Sequence, residues 1–149
     1  MIQKLGREIL LLTKGHLTGV LALVRSSDGR FLFAKHRFRK VPWGLPGGII
    51  ERLEGPQDAL VREMNEELNW ATHPSQWMLF EVAASTRFPQ IEICYVFADR
   101  VNPEIFQSGD FSREILELAW VSPSESPAGF YPLARHRRLA LLAAERYGK

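Results

Sequence analysis

Cysteine is nearly absent: the 149-residue chain holds one, Cys94. That excludes an intramolecular disulfide, a multi-cysteine zinc site and a CxxC redox pair, and it suits a reducing compartment. Long apolar runs are missing as well. Stretches such as residues 9–12 fall far short of the roughly 20 residues a membrane span needs. The N-terminus carries no signal-peptide hydrophobic region, so a cytoplasmic chain without membrane contact is expected. There is no internal repeat, low-complexity tract or linker, and the length is that of one domain, expected over residues 1–149. Hydrophobic residues make up 46% of the chain, enough for a core that needs no metal or disulfide staple. An excess of one charge is lacking too: 19 Lys and Arg against 17 Asp and Glu leave a net charge of +2. That balance permits a nucleic-acid contact without arguing for one.

The small total conceals two opposed stretches. Residues 30–40 contain Arg30, Lys35, Arg37, Arg39 and Lys40 and no acid, a net +5. Residues 51–67 contain Glu51, Glu54, Asp58, Glu63, Glu66 and Glu67 against Arg52 and Arg62, a net −4. Cations just upstream of clustered carboxylates suit a site that holds a polyanion through metal ions, with the cations on the anion and the carboxylates on the metal. Two solvated faces of opposite sign would give the same counts.

Hydrophobic patterning outlines the elements. Ile2, Leu5, Ile9 and Leu12 at helical spacing point to a short opening helix, with a strand as the competitor. Residues 17–25 and 30–35 read as two strands of a hairpin turned at Ser26-Ser27-Asp28-Gly29. Pro42, Gly44, Pro46, Gly47 and Gly48 mark a loop. Pro56 opens a helix that runs to about Leu68, and Asn69 can take the left-handed conformation that ends it. Residues 76–85, 91–99 and 115–121 are strand candidates, and residues 132–147 read as a closing helix. Strands interspersed with helices predict an α/β or α+β sandwich.

On the 56–68 helix, Leu60, Val61, Met64 and Leu68 fall on one face and Glu63, Glu66 and Glu67 on the opposite one. Like charges at i, i+3 and i+4 repel by a few tenths of a kcal/mol per pair. Three clustered glutamates suit a hard divalent cation such as Mg²⁺, which takes one or two carboxylates and completes its shell with water and phosphate oxygens. Arg62 has a rigid fork suited to a bidentate pair with Glu54. An exposed acidic helix face is the competing reading.

Gly48, five residues, Glu54, seven residues, then Arg62-Glu63-Met64-Asn65-Glu66-Glu67 resembles the Nudix box, GX5EX7REUXEEXGU with U a bulky aliphatic. The lead-in Trp43-Gly44-Leu45-Pro46-Gly47-Gly48 also resembles that family. Asn69 replaces the terminal glycine, Trp70 the last aliphatic, and Leu53 stands where many relatives carry glycine. The resemblance implies a Nudix fold, a mixed sheet between helices, and a Mg²⁺- or Mn²⁺-dependent pyrophosphohydrolase. The reaction would be attack of water on phosphorus in a nucleoside diphosphate derivative, ADP-ribose-like or a nucleoside triphosphate. It implies Glu63, Glu66 and Glu67 as metal ligands with a carbonyl of Gly47 or Gly48, and Glu54 and Arg62 as residues that orient them. The general base is left open between a box glutamate and Glu114, whose neighbour is Glu117.

Substrate residues are less marked. Lys35, His36, Arg37 and Arg39 precede the site and are candidates to hold phosphate. Phe88 is a candidate to stack on a base, though it, Phe38 and Phe106 are each of a type more often used in packing. Arg135, Arg137 and Arg138 form a basic spot that, with a pI of 8.9, keeps removal of pyrophosphate from 5′-triphosphorylated RNA as an alternative. A non-catalytic nucleotide-binding module is the other. Exposed strand edges allow a homodimer.

Overall fold

The computed structural model describes residues 17–84, 90–106, 109, 111–125, 130 and 132–148. The expected opening helix and Phe88 lie outside them. In chain order the elements are β1 (Leu17–Leu23), β2 (Phe31–His36), β3 (Trp43–Gly44), β4 (Gly47–Ile49), α1 (Pro56–Leu68), β5 (Trp77–Ala84), β6 (Gln90–Phe97), β7 (Ile115–Val121) and α2 (Ala134–Tyr147). Short 3-10 turns occupy Pro74–Gln76 and Pro103–Phe106. No helix among the described residues is long and apolar enough to cross a membrane.

The strands form two sheets, β4-β1-β6-β5 and β3-β2-β7. In the first, β1 runs parallel to β6 and antiparallel to β4, and β5 pairs antiparallel with β6. This is the mixed α+β architecture expected. Alternation along β1 and β6 puts a core on each face of this sheet. Val20, Ala22, Tyr95 and Phe97 pack with Ala59, Leu60, Met64 and Leu68 of α1. Leu21, Leu23, Cys94 and Val96 pack with Leu139, Ala140 and Ala143 of α2. A strand covered on both faces reads as a continuous apolar run, which is the appearance of residues 20–24. Cys94 is fully buried, and burial pushes its thiol pKa up, in keeping with a packing role.

The expected hairpin is only partly realised. Its tip forms, with Ser26 N–H donating to Arg30 O at 2.8 Å, Gly29 N–H to Ser26 O at 3.0 Å, and Gly29 at φ 83°. Beyond the tip the strands separate into different sheets, because β4 and β6 occupy both edges of β1 while β2 pairs with β3 and β7. The loop at residues 42–48 likewise contains two short strands, β3 and β4, recruited by those partners.

The other element expectations hold closely. α1 starts at Pro56 and ends at Leu68, and Asn69 adopts φ 50°, ψ 38°. Asn69 N–H donates to Asn65 O at 3.0 Å and Trp70 N–H to Met64 O at 3.2 Å, satisfying carbonyls at the helix end. Trp70 then packs edge-on against Trp77, Phe97 and Phe106, with ring centres 5.9, 4.7 and 5.4 Å away. This aromatic contact fixes the C-terminal end of α1, and with it the carboxylates one turn back.

Candidate functional site

The site is built where β4 passes beneath α1. Gly47 has φ 150°, and a Cβ there would stand 2.0 Å from Val20 O on β1. At Gly48 a Cβ would stand 2.2 Å from Glu63 Oε1. The paired glycines therefore let β4 join β1 and let the Glu63 carboxylate lie against the backbone.

Arg62 is the hub of the acidic face. Its Nε donates to Glu54 Oε2 at 2.7 Å and its Nη2 to Glu54 Oε1 at 2.9 Å, the expected bidentate pair. Nη2 also donates to Ile49 O at 3.0 Å, tying helix to strand. Nη1 donates to Glu63 Oε1 at 2.9 Å and Glu66 Oε2 at 3.2 Å. The Glu54 hydrogen bonds raise the guanidinium pKa and hold the Glu54 carboxyl below the usual range.

Glu63 and Glu67 are both about 95% buried, whereas the Glu66 side chain is 57% exposed and reaches Arg62. Burial, with Arg62 opposing, raises the Glu63 pKa. Burial and the Glu63 charge push Glu67 well above the usual carboxylate range, while Arg39 and an N–H from Gly47 pull it back. Glu67 Oε2 has no hydrogen-bond partner. No three carboxylate, imidazole or thiolate side chains converge on one point among the described residues. What the structure provides is a buried carboxylate pair with an unused oxygen, beside a glycine backbone. That donor set fits a hard cation taking one or two carboxylates.

Glu114 is exposed ahead of β7, and its charge acts on Glu67. It is brought there by Arg37 N–H donating to Glu114 O at 2.8 Å and Ser112 N–H donating to Glu67 O at 3.0 Å. Arg37 Nε donates to Arg113 O at 2.8 Å. Lys35 Nζ lies 3.9 Å from Glu117 Oε2 and 5.9 Å from the Trp43 ring centre. Arg39 is half-buried and biases Glu67, His36, Glu92 and His136.

Two expectations need correcting. His36 is not on the rim: it is 6% exposed, with Nδ1 3.3 Å from Pro42 O. Burial pulls its pKa down to about 3, so it is a neutral core residue rather than a phosphate contact. Phe38 is 73% exposed and packs little.

A NUDIX domain model matches residues 15–141. The chain belongs to the Nudix family. By that membership it is a Nudix hydrolase, and the resemblance carried by residues 48–70 holds. A MutT protein from Methanosarcina mazei is similar in fold, with a TM-score of 0.64 at 22% identity over 90% of this chain and 96% of that one. A bifunctional NMN adenylyltransferase/ADP ribose pyrophosphatase from Francisella tularensis, complexed with AMP and a Mn ion, has a TM-score of 0.66 at 23% identity. That match covers 95% of this chain and 46% of that one. The E. coli ORF135 protein has a TM-score of 0.59 at 24% identity, over 90% and 93% of the two chains. Among curated proteins no relative matches.

Sequence reading missed two buried polar residues of this Nudix domain, Glu92 and His136, exposed by 7% and 5%. A signal for each was present. Glu92 shares the inward face of β6 with Cys94 and Val96, and His136 lies at helical spacing with Leu139, Ala140 and Ala143. A charge or imidazole on an apolar face must find partners. Glu92 Oε2 lies 3.6 Å from His136 Nε2, and Arg135 Nη1 lies 3.7 Å from Glu92 Oε1.

Proposed function

We propose that residues 1–149 form a single Nudix domain that hydrolyses the diphosphate linkage of a nucleoside diphosphate derivative with Mg²⁺ or Mn²⁺. The observation that carries this reading is the buried Glu63–Glu67 pair, with the unpartnered Oε2 of Glu67 beside the Gly47-Gly48 backbone. In this reading Glu63 and Glu67, with a carbonyl of Gly47 or Gly48, hold the cation, and Glu66 supplies a more exposed carboxylate from the same helix. A bound divalent cation neutralises phosphate charge and acidifies the attacking water. Arg62 holds Glu63 and is itself held by Glu54, so these two fix the carboxylate orientation. Glu114, close enough to act on Glu67, is the candidate to accept the proton from water, with Glu67 as its competitor. Arg39, whose charge acts on Glu67, supplies positive charge for phosphate oxygens.

A nucleotide substrate is supported by the Francisella relative, whose structure is described with AMP and a Mn ion. The RNA alternative is weakened because Arg135 is engaged, donating to Ala84 O at 2.9 Å and facing Glu92. The test is a hydrolysis panel with Mg²⁺ or Mn²⁺ over ADP-ribose, nucleoside triphosphates, dinucleoside polyphosphates and triphosphorylated RNA. Turnover of a small nucleotide, abolished by chelator and restored by the metal, is expected. Tight nucleotide binding without turnover of any substrate would instead identify a binding module.

A further inference from the structure

The lead-in to the box is held by a residue almost a hundred positions downstream. Leu45 N–H donates to His136 Nδ1 at 2.9 Å, in a buried bond. An imidazole that accepts at Nδ1 is neutral and carries its proton on Nε2, the nitrogen that faces Glu92 Oε2 at 3.6 Å. Glu92 is itself faced by Arg135, which is anchored on Ala84 O. The ring is thus fixed in tautomer and orientation from behind. The contact is close enough to constrain sequence: a Cβ on Gly44 would stand 2.8 Å from His136 Nδ1. A second bond, from Leu133 N–H to Trp43 O at 3.0 Å, docks the start of α2 on the same segment.

Two residues beyond Leu45 the Gly47 backbone faces Glu67 and draws its pKa down, and one residue further the chain runs against Glu63, where a Cβ on Gly48 would stand 2.2 Å from Oε1. The segment Leu45-Pro46-Gly47-Gly48 is therefore held at one end by His136 and lies at the other against the buried carboxylates. Between them Pro46 O accepts from Ala22 N–H at 2.9 Å, and the proline ring stiffens the link.

We propose that His136 is a positioning residue for the metal-binding carboxylates, acting through the Leu45 amide to set the Gly47 backbone against Glu67. The inference rests on the proposed metal site. Losing the acceptor leaves a buried N–H unsatisfied, and the cheapest relief is for residues 45–47 to move. Partners of this outer kind typically change metal affinity or activity about 10–100-fold.

The test compares His136→Asn with His136→Gln. Asparagine puts an amide oxygen close to the place of Nδ1, whereas glutamine carries its polar group out toward Nε2, so the two differ chiefly in where the acceptor stands. Mn²⁺ affinity is read by electron paramagnetic resonance, and exchange of the Leu45 amide by NMR. Expected is affinity within about 3-fold of wild type for His136→Asn, with Leu45 still protected. For His136→Gln, affinity is expected to fall about 10-fold or more, with Leu45 exchanging faster. Equal behaviour of the two variants overturns the proposal. So does a fall in melting temperature in either variant with Mn²⁺ affinity unchanged, since that marks a merely structural residue. If the wild type binds no Mn²⁺, the metal site itself fails and this inference falls with it.

Discussion

Substituting Gly48 by alanine separates catalytic placement from folding, because the intruding methyl group meets only a side chain. The added Cβ would lie 2.2 Å from Glu63 Oε1 and 2.3 Å from Cδ. Ordinary contacts lie near 3.5 Å, so the carboxylate must retreat by about 1 Å. Gly48 is not among the glycines with positive φ, so the backbone tolerates alanine. Losing the 2.9 Å bond from Arg62 to Glu63 costs about 1.5–3 kcal/mol. The reduced freedom of the unfolded chain returns about 0.4–1 kcal/mol. The net is a loss of about 1–2 kcal/mol, or roughly 2–8 °C in Tm at this length. A misplacement of about 1 Å at a reacting centre costs on the order of 100-fold in rate, equivalent to about 2.7 kcal/mol of barrier. Gly47→Ala is the contrast: its Cβ meets the Val20 carbonyl at 2.0 Å with φ 150°, and no side-chain movement relieves that clash. That variant is expected to lose more than about 3 kcal/mol and to fold poorly. Thermal melts and kcat/KM on whichever nucleotide the panel identifies decide the matter. Turnover of Gly48→Ala within about 3-fold of wild type would refute the argument that the place of Glu63 matters, and unfolding like that of Gly47→Ala would refute the argument that the side chain yields.

Glu67→Gln is expected to raise Tm or leave it unchanged, because the buried carboxylate beside Glu63 is disfavoured as an anion, while turnover falls by at least about 100-fold; a destabilised or active variant contradicts the assignment. Leu53 closes a turn with Glu54 N–H donating to Glu51 O at 3.2 Å, sits at φ 63° and is 97% exposed. Leu53→Gly is therefore expected to gain about 0.5–1 kcal/mol in a urea melt with activity retained, whereas a loss of stability would contradict the strain argument. His36 has a folded pKa of about 3 against 6.5 for the free imidazole. Above pH 6.5 both states are neutral, and as pH falls from 6.5 toward 3 only the unfolded chain takes up the proton, so stability is lost over that window. His36→Leu should flatten the dependence of the urea midpoint on pH there, and parallel curves for the two proteins would contradict the attribution.

Local physics made much of the site legible. The 3.6-residue period placed both faces of α1, the Pro56 and Asn69 boundaries followed from backbone preferences, and the fork of Arg62 found Glu54 eight residues away on the adjoining loop. Nonlocal pairing was not legible in the same way. Leu17–Leu23 and Phe31–His36 carry the pattern of a hairpin, and their separation into two sheets depends on β6 and β7, far along the chain. The link between Leu45 and His136 spans 91 positions, and no local pattern announces which amide an inward-facing imidazole will meet. His36 was misread because a cationic neighbourhood in sequence gives no information on which side of β2 each side chain falls.

The pairing of β1 with β6 sets the order in which the molecule can assemble during synthesis. Leu17 aligns with Gln90 and Leu23 with Val96, so this central parallel pairing closes a loop of more than 70 residues. Phe31 pairs with Val121 across a still longer one. Local helices form within about a microsecond, whereas such distant closures are slow. The carboxylate helix therefore leaves the ribosome before either sheet can be completed, and the α2 imidazole that holds Leu45 follows only after all the strands described. Until β6 has emerged, Leu60, Met64 and Leu68 lack Tyr95 and Phe97, the β6 side of their core, and the apolar face of the nascent box helix stays uncovered.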